Sequence, residues 1–281
     1  MSPFQPPSFL DPLPSAIPAW EKLAGIIGQK KIDRSRIIEF QQDAALHLLR
    51  TSRHIKEPNF ASISDQDLGI LFHFIDETFF EGTVASLCEK ISCRPLRFRL
   101  STRMTSTGGT TTMRRKKGES GQKHFEIAVA TTPLFETFKL ETQTTVGGLP
   151  CHSRLEALQR IMEHEMVHLI EMLLWENSSC QKKPFKHIVQ RFFRHAESNH
   201  RMLTPKDIAY QTKGLKPGDT VSFVARDTLY HGVVNRIAKR ATVLVPSPDG
   251  RPFSDGQRYL KYYVPLHFLQ RTDRNKGLTP E

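Results

Sequence analysis

Cysteine is scarce in this chain. Only four occur among 281 residues, Cys88, Cys93, Cys151 and Cys180, at irregular spacings and with no CxxC pair, which excludes a disulfide framework and an all-cysteine zinc knuckle. Long apolar runs are missing too. No stretch approaches the ~18 apolar residues that a membrane helix requires, so the sequence speaks against helical membrane spans. The first twenty residues, MSPFQPPSFLDPLPSAIPAW, lack a basic n-region and an unbroken apolar segment. They read as a proline-rich leader and not as a secretion signal, and the expected compartment is the cytoplasm. Acid is short relative to base: 29 Asp and Glu stand against 40 Lys and Arg, a formal charge of +11. Such a balance favours a polyanionic partner, nucleic acid first.

The basic residues cluster. Residues 94–123 hold nine Lys or Arg, Arg103, Arg114, Arg115, Lys116 and Lys117 among them, against the single acid Glu119. A stretch of this kind is either a solvated hairpin or an anion-binding surface. The chain length suggests two domains. After the leader, RSRIIEFQQDAALHLLRTSRH has apolar positions at helical spacing and reads as an accessory helix, so residues 1–60 form a leader plus that helix. SISDQDLGILFHFIDETFFEG opens on N-cap residues and spaces Leu68, Leu71, Phe72, Ile75 and Phe79 by three and four, which predicts a core helix ending near Gly82.

Over residues 94–130 the period changes to alternation around a Gly-Gly turn, and three short strands are expected. Ser153 and Glu156 form a capping box that starts a helix running to about Trp175. Phe185, Ile188, Val189, Phe192 and Phe193 give a following helix its apolar face. From Gly214 onward the pattern is all-β, with about five short runs between turn residues; an SH3-like β-barrel over 214–272 and a flexible tail over 273–281 are the natural reading. The expected fold class is therefore α+β: a domain over 61–210 of helices plus a small three-stranded sheet, followed by the small barrel.

The helix written SRLEALQRIMEHEMVHLIEMLLW reads as core, yet it carries His164, Glu165 and His168 in its middle. Unpaired buried polar groups are costly, and a metal ion would compensate all three. Residues four apart are displaced by about 6 Å along a helix and about 40° around it, so both imidazoles project toward one point. Zn²⁺ accepts neutral imidazole and, with three protein ligands, keeps a fourth position for water, whose pKa falls to about 7. Glu165 then serves as general base toward that water and as proton shuttle to a leaving amine. Glu171 lies about 10 Å further along the helix than His164, too far to share an ion easily, and is placed behind a ligand as acceptor for its N–H. The motif HExxHxxGxxH is absent. Four candidates remain for the third ligand: Cys180, His187, His195 and His200. Thiolate is a good zinc ligand, and Cys180 sits in the loop best placed to fold back.

Several of these pieces together resemble the SprT-like metalloprotease family, which includes the Spartan proteases that digest proteins crosslinked to DNA. LFHFIDETFFEGTV resembles the family's entry helix, STRMTSTGGTTT the strand and turn beside the active site, IMEHEMVHLIEMLLW the zinc helix and KPFKHIVQRFF the closing helix. The likeness covers about residues 65–200 in order. KRATVLVPSPDGRPFSDGQRYLKYYVPL further resembles the barrel appended in a bacterial branch. The resemblance implies a zincin-like fold, Zn²⁺ as cofactor, His164 and His168 as ligands and Glu165 as catalytic base. It also implies a protein or peptide substrate, DNA as a partner, and association with the nucleoid. One departure matters: the family usually supplies a third His in His-Gly-x-x-aromatic, whereas this chain reads SSCQKKPF, which puts Gln181 at that position and Cys180 beside it.

A substrate would lie extended along the strand near Arg103 to Thr112, with Arg103, Thr105, Gly108 and Gly109 as its contacts, because a strand edge binds peptide main chain. Two surfaces suit DNA, single-stranded DNA in particular. One is the hairpin with Arg114, Arg115, Lys116 and Lys117; the other is the barrel, where Arg236, Lys239 and Arg240 accompany Tyr259, Tyr262 and Tyr263. Tyrosines in a small barrel also fill its core, and a protein-interaction module competes with the DNA reading there. The competing function is a nucleic-acid- or protein-binding module whose zinc site is structural or degraded, as Gln181 would allow. Nothing in the residues bears on oligomeric state.

Overall fold

The computed structural model describes residues 14–92, 94–115, 123–139, 144–198 and 200–272. Among these, mixed helix and strand build two compact units, 1–202 and 203–281. Lys116, Lys117 and the tail over 273–281 lie outside the described residues, as does the start of the leader.

The first unit begins with α1 (Ile17–Gln29) and α2 (Arg34–Thr51). Both belong to its core. Trp20, Leu23, Ile27, Ile37, Ala44 and Leu48 are buried in one cluster with the later helices, and the Trp20 indole N–H reaches the Leu174 carbonyl. Residues 14–60 are thus more than the leader and accessory helix expected there. The sequence signal for α1 was present, a proline in the first turn followed by apolar residues at helical spacing, but proline-rich composition on its N-terminal side masked it.

Next come α3 (Asp65–Phe80) and α4 (Thr83–Ile91). Ser64 and Asp67 form a reciprocal capping box at the start of α3, and Leu68, Leu71, Phe72, Ile75 and Phe79 are all buried. The expected core helix is observed. Glu81 and Gly82, both left-handed, separate it from α4. Because Gly82 offers no side chain to cap α4, the cap comes from the neighbouring helix: Asp76 accepts from the N–H groups of Val84 and Ala85, at 3.0 and 2.8 Å.

Three strands follow, β1 (Arg97–Ser101), β2 (Gly109–Arg115) and β3 (Lys123–Ala130). Their spatial order is β1-β3-β2, with β1 parallel and β2 antiparallel to the central β3. Hence β2 is an edge strand. Phe125, Ile127 and Val129 bury β3 against the helices. After α5 (Thr131–Thr137), the short strands β4 (Thr144–Val146) and β5 (Leu149–Cys151) lead into α6 (Arg154–Trp175). Ser153 caps α6 by accepting from the Glu156 N–H. Then α7 (Lys183–Phe193) buries the five apolar residues expected of it, and β6 (His200–Arg201) adds to β4.

The second unit opens on α8 (Pro205–Lys213), a helix not foreseen. It had a signal: Thr204 and Asp207 form a capping box around Pro205, and Gly214 ends the helix in the left-handed region. Strands β7 (Thr220–Ala225), β8 (Thr228–Ile237), β9 (Arg240–Pro252), β10 (Arg258–Pro265) and β11 (Gln270–Arg271) make one antiparallel sheet in the order β10-β9-β8-β7-β11. Alternate residues face inward. Val221, Phe223, Val234, Val243 and Val264 form the core, joined by Ala209 of α8.

Among the described residues, no helix is long and apolar enough to cross a membrane.

Candidate metal centre and its cleft

The site is built on α6, whose middle is almost wholly buried. Spacing of four brings His164 and His168 together with their Nε2 atoms 3.1 Å apart. Two nitrogens on one tetrahedral zinc, each 2.0–2.1 Å from it, would stand about 3.3 Å apart. Cys180 completes a group whose ligand atoms all lie within 4.8 Å of one another. These three side chains therefore fit a metal ion as a donor set and nearly fit it as geometry.

The other third-ligand candidates go elsewhere. His187 is exposed on α7. His195 is buried and turns its Nε2 to Glu163, 2.8 Å away. The His200 side chain lies outside the described residues. Glu163, immediately before His164, is turned to a different set of partners: its carboxylate takes hydrogen bonds from Arg160, Gln41 and Gln159 as well as contacting His195. Burial pushes its pKa up, but Arg160 and His195 outweigh burial and hold it below the ordinary value. Sequence reasoning missed this cluster, because its members are spread from residue 41 to 195.

Glu165 is 2% exposed and is held by β2. The Thr111 hydroxyl lies 2.8 Å from Glu165 Oε2 and 2.9 Å from the Glu165 carbonyl oxygen. Gly109 lets the strand come this close, since a Cβ there would sit 2.7 Å from Glu165 Oε1. Burial pushes the Glu165 carboxyl up to about 8, against a lowering by the Thr111 hydroxyl. Burial also pushes His168 down to about 4, which leaves it neutral and suited to ligation.

Behind His168 lies a second carboxylate. Ser178 Oγ is 2.6 Å from His168 Nδ1 and donates to Glu171 Oε2, also at 2.6 Å. The Ser179 N–H donates to the same oxygen at 3.2 Å. Glu171 thus reaches His168 through a serine.

An open cleft of about 410 Å³ leads to the group, with Ser106, Gly109, Thr110, Glu165, Met172 and Cys180 along its walls. Of the four residues expected to contact substrate, Gly109 is in this cleft. Arg103, Thr105 and Gly108 belong to the connection between β1 and β2 and do not line it. Gly108 instead gives its carbonyl to the Ala130 N–H. The wall is set by the strand proper, which begins at Gly109.

The basic stretch is partly spoken for. Arg97 and Arg99 pair with Glu126, while Arg115 and the buried Lys123 pair with Glu176 at the end of α6. Arg114 is exposed. In the second unit Arg236, Lys239 and Arg240 are all exposed around the β8–β9 turn. Tyr262 packs with Phe223 and Tyr230, and Tyr259 bonds to Asp255, whereas Tyr263 is 66% exposed.

No protein-family model matches this sequence, and no curated protein and no solved structure matches it. Function is therefore a matter of the site itself.

Proposed function

We propose that the first unit is a zinc-dependent endopeptidase of the SprT-like, zincin-like type, acting on DNA-associated or DNA-crosslinked proteins. One observation carries this reading: His164, His168 and Cys180 converge while Glu165 is fixed beside them by Thr111 on an edge strand. Three protein ligands and a positioned carboxylate are what hydrolytic zinc chemistry requires, and a purely structural zinc normally closes its fourth position with protein.

Zinc held there supplies Lewis-acid polarisation of a peptide carbonyl and acidification of water. The chain supplies the rest. Burial alone favours the protonated form of Glu165, and a divalent cation beside it would favour the carboxylate; as carboxylate, Glu165 takes a proton from the attacking water as oxygen bonds to the carbonyl carbon, then delivers it to the amide nitrogen as the C–N bond breaks. Thr111 leaves the carboxylate little freedom, so the base is oriented before substrate arrives. The β2 edge offers main-chain groups to an extended peptide, a mode of binding with little demand on side chains. Loose specificity of that kind calls for external control, and DNA is the proposed source. The exposed Arg236, Lys239 and Arg240 with Tyr263, on what we read as an SH3-like barrel, support a single-strand contact.

The test compares wild type with Glu165→Gln for zinc per chain and for cleavage of a basic DNA-binding protein, with and without single-stranded DNA. The expected result is about one zinc in both, cleavage by wild type alone, and stimulation by DNA. Zinc in both without cleavage under any condition would overturn the enzyme in favour of a binding module with a structural site.

A further inference from the structure

Glu171 is 3% exposed, points toward the metal group, and is too far along α6 to ligate with His164. A buried carboxylate in that position needs partners. Among the described residues it has two hydrogen-bond donors, both from the loop after α6: the Ser178 hydroxyl and the Ser179 N–H donate to the same oxygen, Oε2. Ser178 has one hydroxyl proton, and it goes to Glu171. Toward His168 Nδ1, 2.6 Å away, Ser178 Oγ is therefore an acceptor, and the imidazole nitrogen must carry the hydrogen. A neutral histidine with Nδ1–H has its lone pair on Nε2, and Nε2 is the atom beside His164 Nε2.

The same bonds do a second thing. Ser178 and Ser179 immediately precede Cys180, so fastening them to α6 through Glu171 fixes the loop that brings the thiol to the two imidazoles.

We infer that Glu171 and Ser178 are positioning residues of the metal site, a linked pair through which one buried carboxylate sets both the tautomer of His168 and the placement of Cys180. The inference rests on the reading of His164, His168 and Cys180 as metal ligands. The two variants differ in consequence. Ser178→Ala deprives His168 Nδ1–H of its acceptor and leaves the imidazole free to adopt either tautomer. Glu171→Ala does more: the released Ser178 proton can turn to Nδ1, which places the imidazole hydrogen on Nε2 and blocks the ligating lone pair. Removing Ser178 as well relieves that block. The two losses are then not additive.

The experiment uses the full chain and zinc alone as ligand, with affinity read by competition against a chromogenic chelator. Ser178→Ala and Glu171→Ala are each expected to weaken zinc binding by about 10- to 100-fold, and the double variant to bind no more weakly than Glu171→Ala. Glu171→Gln, which keeps an acceptor oxygen for Ser178, should recover most of the affinity. Nitrogen NMR of the metal-free protein should show His168 as the Nδ1–H tautomer in wild type, with Nε2–H gaining in Glu171→Ala. A merely structural role would not move that signature. If Glu171→Ala does not fold, Ser178→Ala and Glu171→Gln carry the same comparison.

Zinc binding unchanged in Ser178→Ala, or His168 found as Nε2–H in wild type, would overturn the inference while leaving the metal site intact. Absence of zinc binding by wild type would instead overturn the metal reading, and with it the inference.

Discussion

Gly109 and Glu165 meet across the interface of β2 and α6 so closely that a Cβ on Gly109 would stand 2.7 Å from Glu165 Oε1 and 2.8 Å from its Cγ. Gly109→Ala must therefore push the carboxylate aside without touching the proposed ligands. Displacing a catalytic group by about an ångström can cost about 10²-fold, so kcat should fall by that order while zinc per chain stays at the wild-type value. Thr111→Val, which removes the hydroxyl 2.8 Å from Oε2, should lower kcat about tenfold or more with KM little changed, and Thr111→Ser should restore it. Steady-state cleavage with parallel metal analysis decides; a matching loss of zinc would assign both residues to the fold and not to the base.

Glu163 and His195 account for a second expectation. Glu163 is fully buried, and its charge is balanced by Arg160 at 2.9 and 3.1 Å and by hydrogen bonds from Gln41 and His195. Removing one member of such a cluster strands the others in a dry interior. Glu163→Ala should cost about 3–5 kcal/mol, and Glu163→Gln less, because the amide still offers an oxygen. Urea unfolding of the metal-free chain measures this directly. A cost below about 1 kcal/mol would mean that the cluster is solvated in the folded protein.

The two glutamates around His164 show where sequence reading succeeds and where it stops. Helical spacing is local, so the pairing of His164 with His168, the cap at Ser153 and the apolar face of α7 followed from residues within a few turns of each other. The HExxH spacing likewise singled out Glu165, but it was silent on Glu163 and on what holds either carboxylate: Thr111, 54 residues from Glu165, and His195, 32 residues from Glu163. Ser178 was an ordinary loop serine until the loop folded back onto Glu171. The charge balance of the basic run over 94–123 is not local either, since Glu126 and Glu176, which neutralise part of it, lie outside it. In the second unit, alternation gave the strands, but which tyrosine faces outward depends on the register and on the bulge at Arg258 and Tyr259.

Asp76 predicts a pH dependence with a definite sign. Its carboxyl caps α4 from the neighbouring helix, yet burial pushes its pKa up from 3.8 to about 6, more than the two N–H donors of Val84 and Ala85 can offset. A folded-state pKa above the unfolded value means that the folded chain holds the proton more tightly. Stability from this group is thus complete below about pH 4, declines as pH rises, and is gone above about pH 6. The swing is of order a few kcal/mol. Asp76→Asn cannot titrate, so the difference in unfolding free energy between pH 4 and pH 7 should shrink by that order relative to wild type. An unaltered difference would show that the carboxyl is ionised throughout.

Tyr263 and Arg236 occupy one row of the second unit's sheet, because Arg236 pairs with Thr242 on β9 and Thr242 with Tyr263 on β10. The arrangement sets an exposed ring and a guanidinium on the outer face with Thr242 between them, and Lys239 and Arg240 lie at the adjoining turn. Bases stack on such a ring and phosphates sit on the cations, and the two contributions respond differently to salt. Tyr263→Ala should weaken binding of an oligothymidylate by about 1–3 kcal/mol at every salt concentration, leaving the slope of log affinity against log salt unchanged. Replacing Arg236, Lys239 and Arg240 together by Ala should reduce that slope by about 2, since each phosphate contact to a single strand contributes about 0.7. Fluorescence anisotropy across a salt series measures both. Binding that ignores all four substitutions would move the nucleic-acid contact off this sheet, and the exposed Arg114 of the first unit would be the next residue to change.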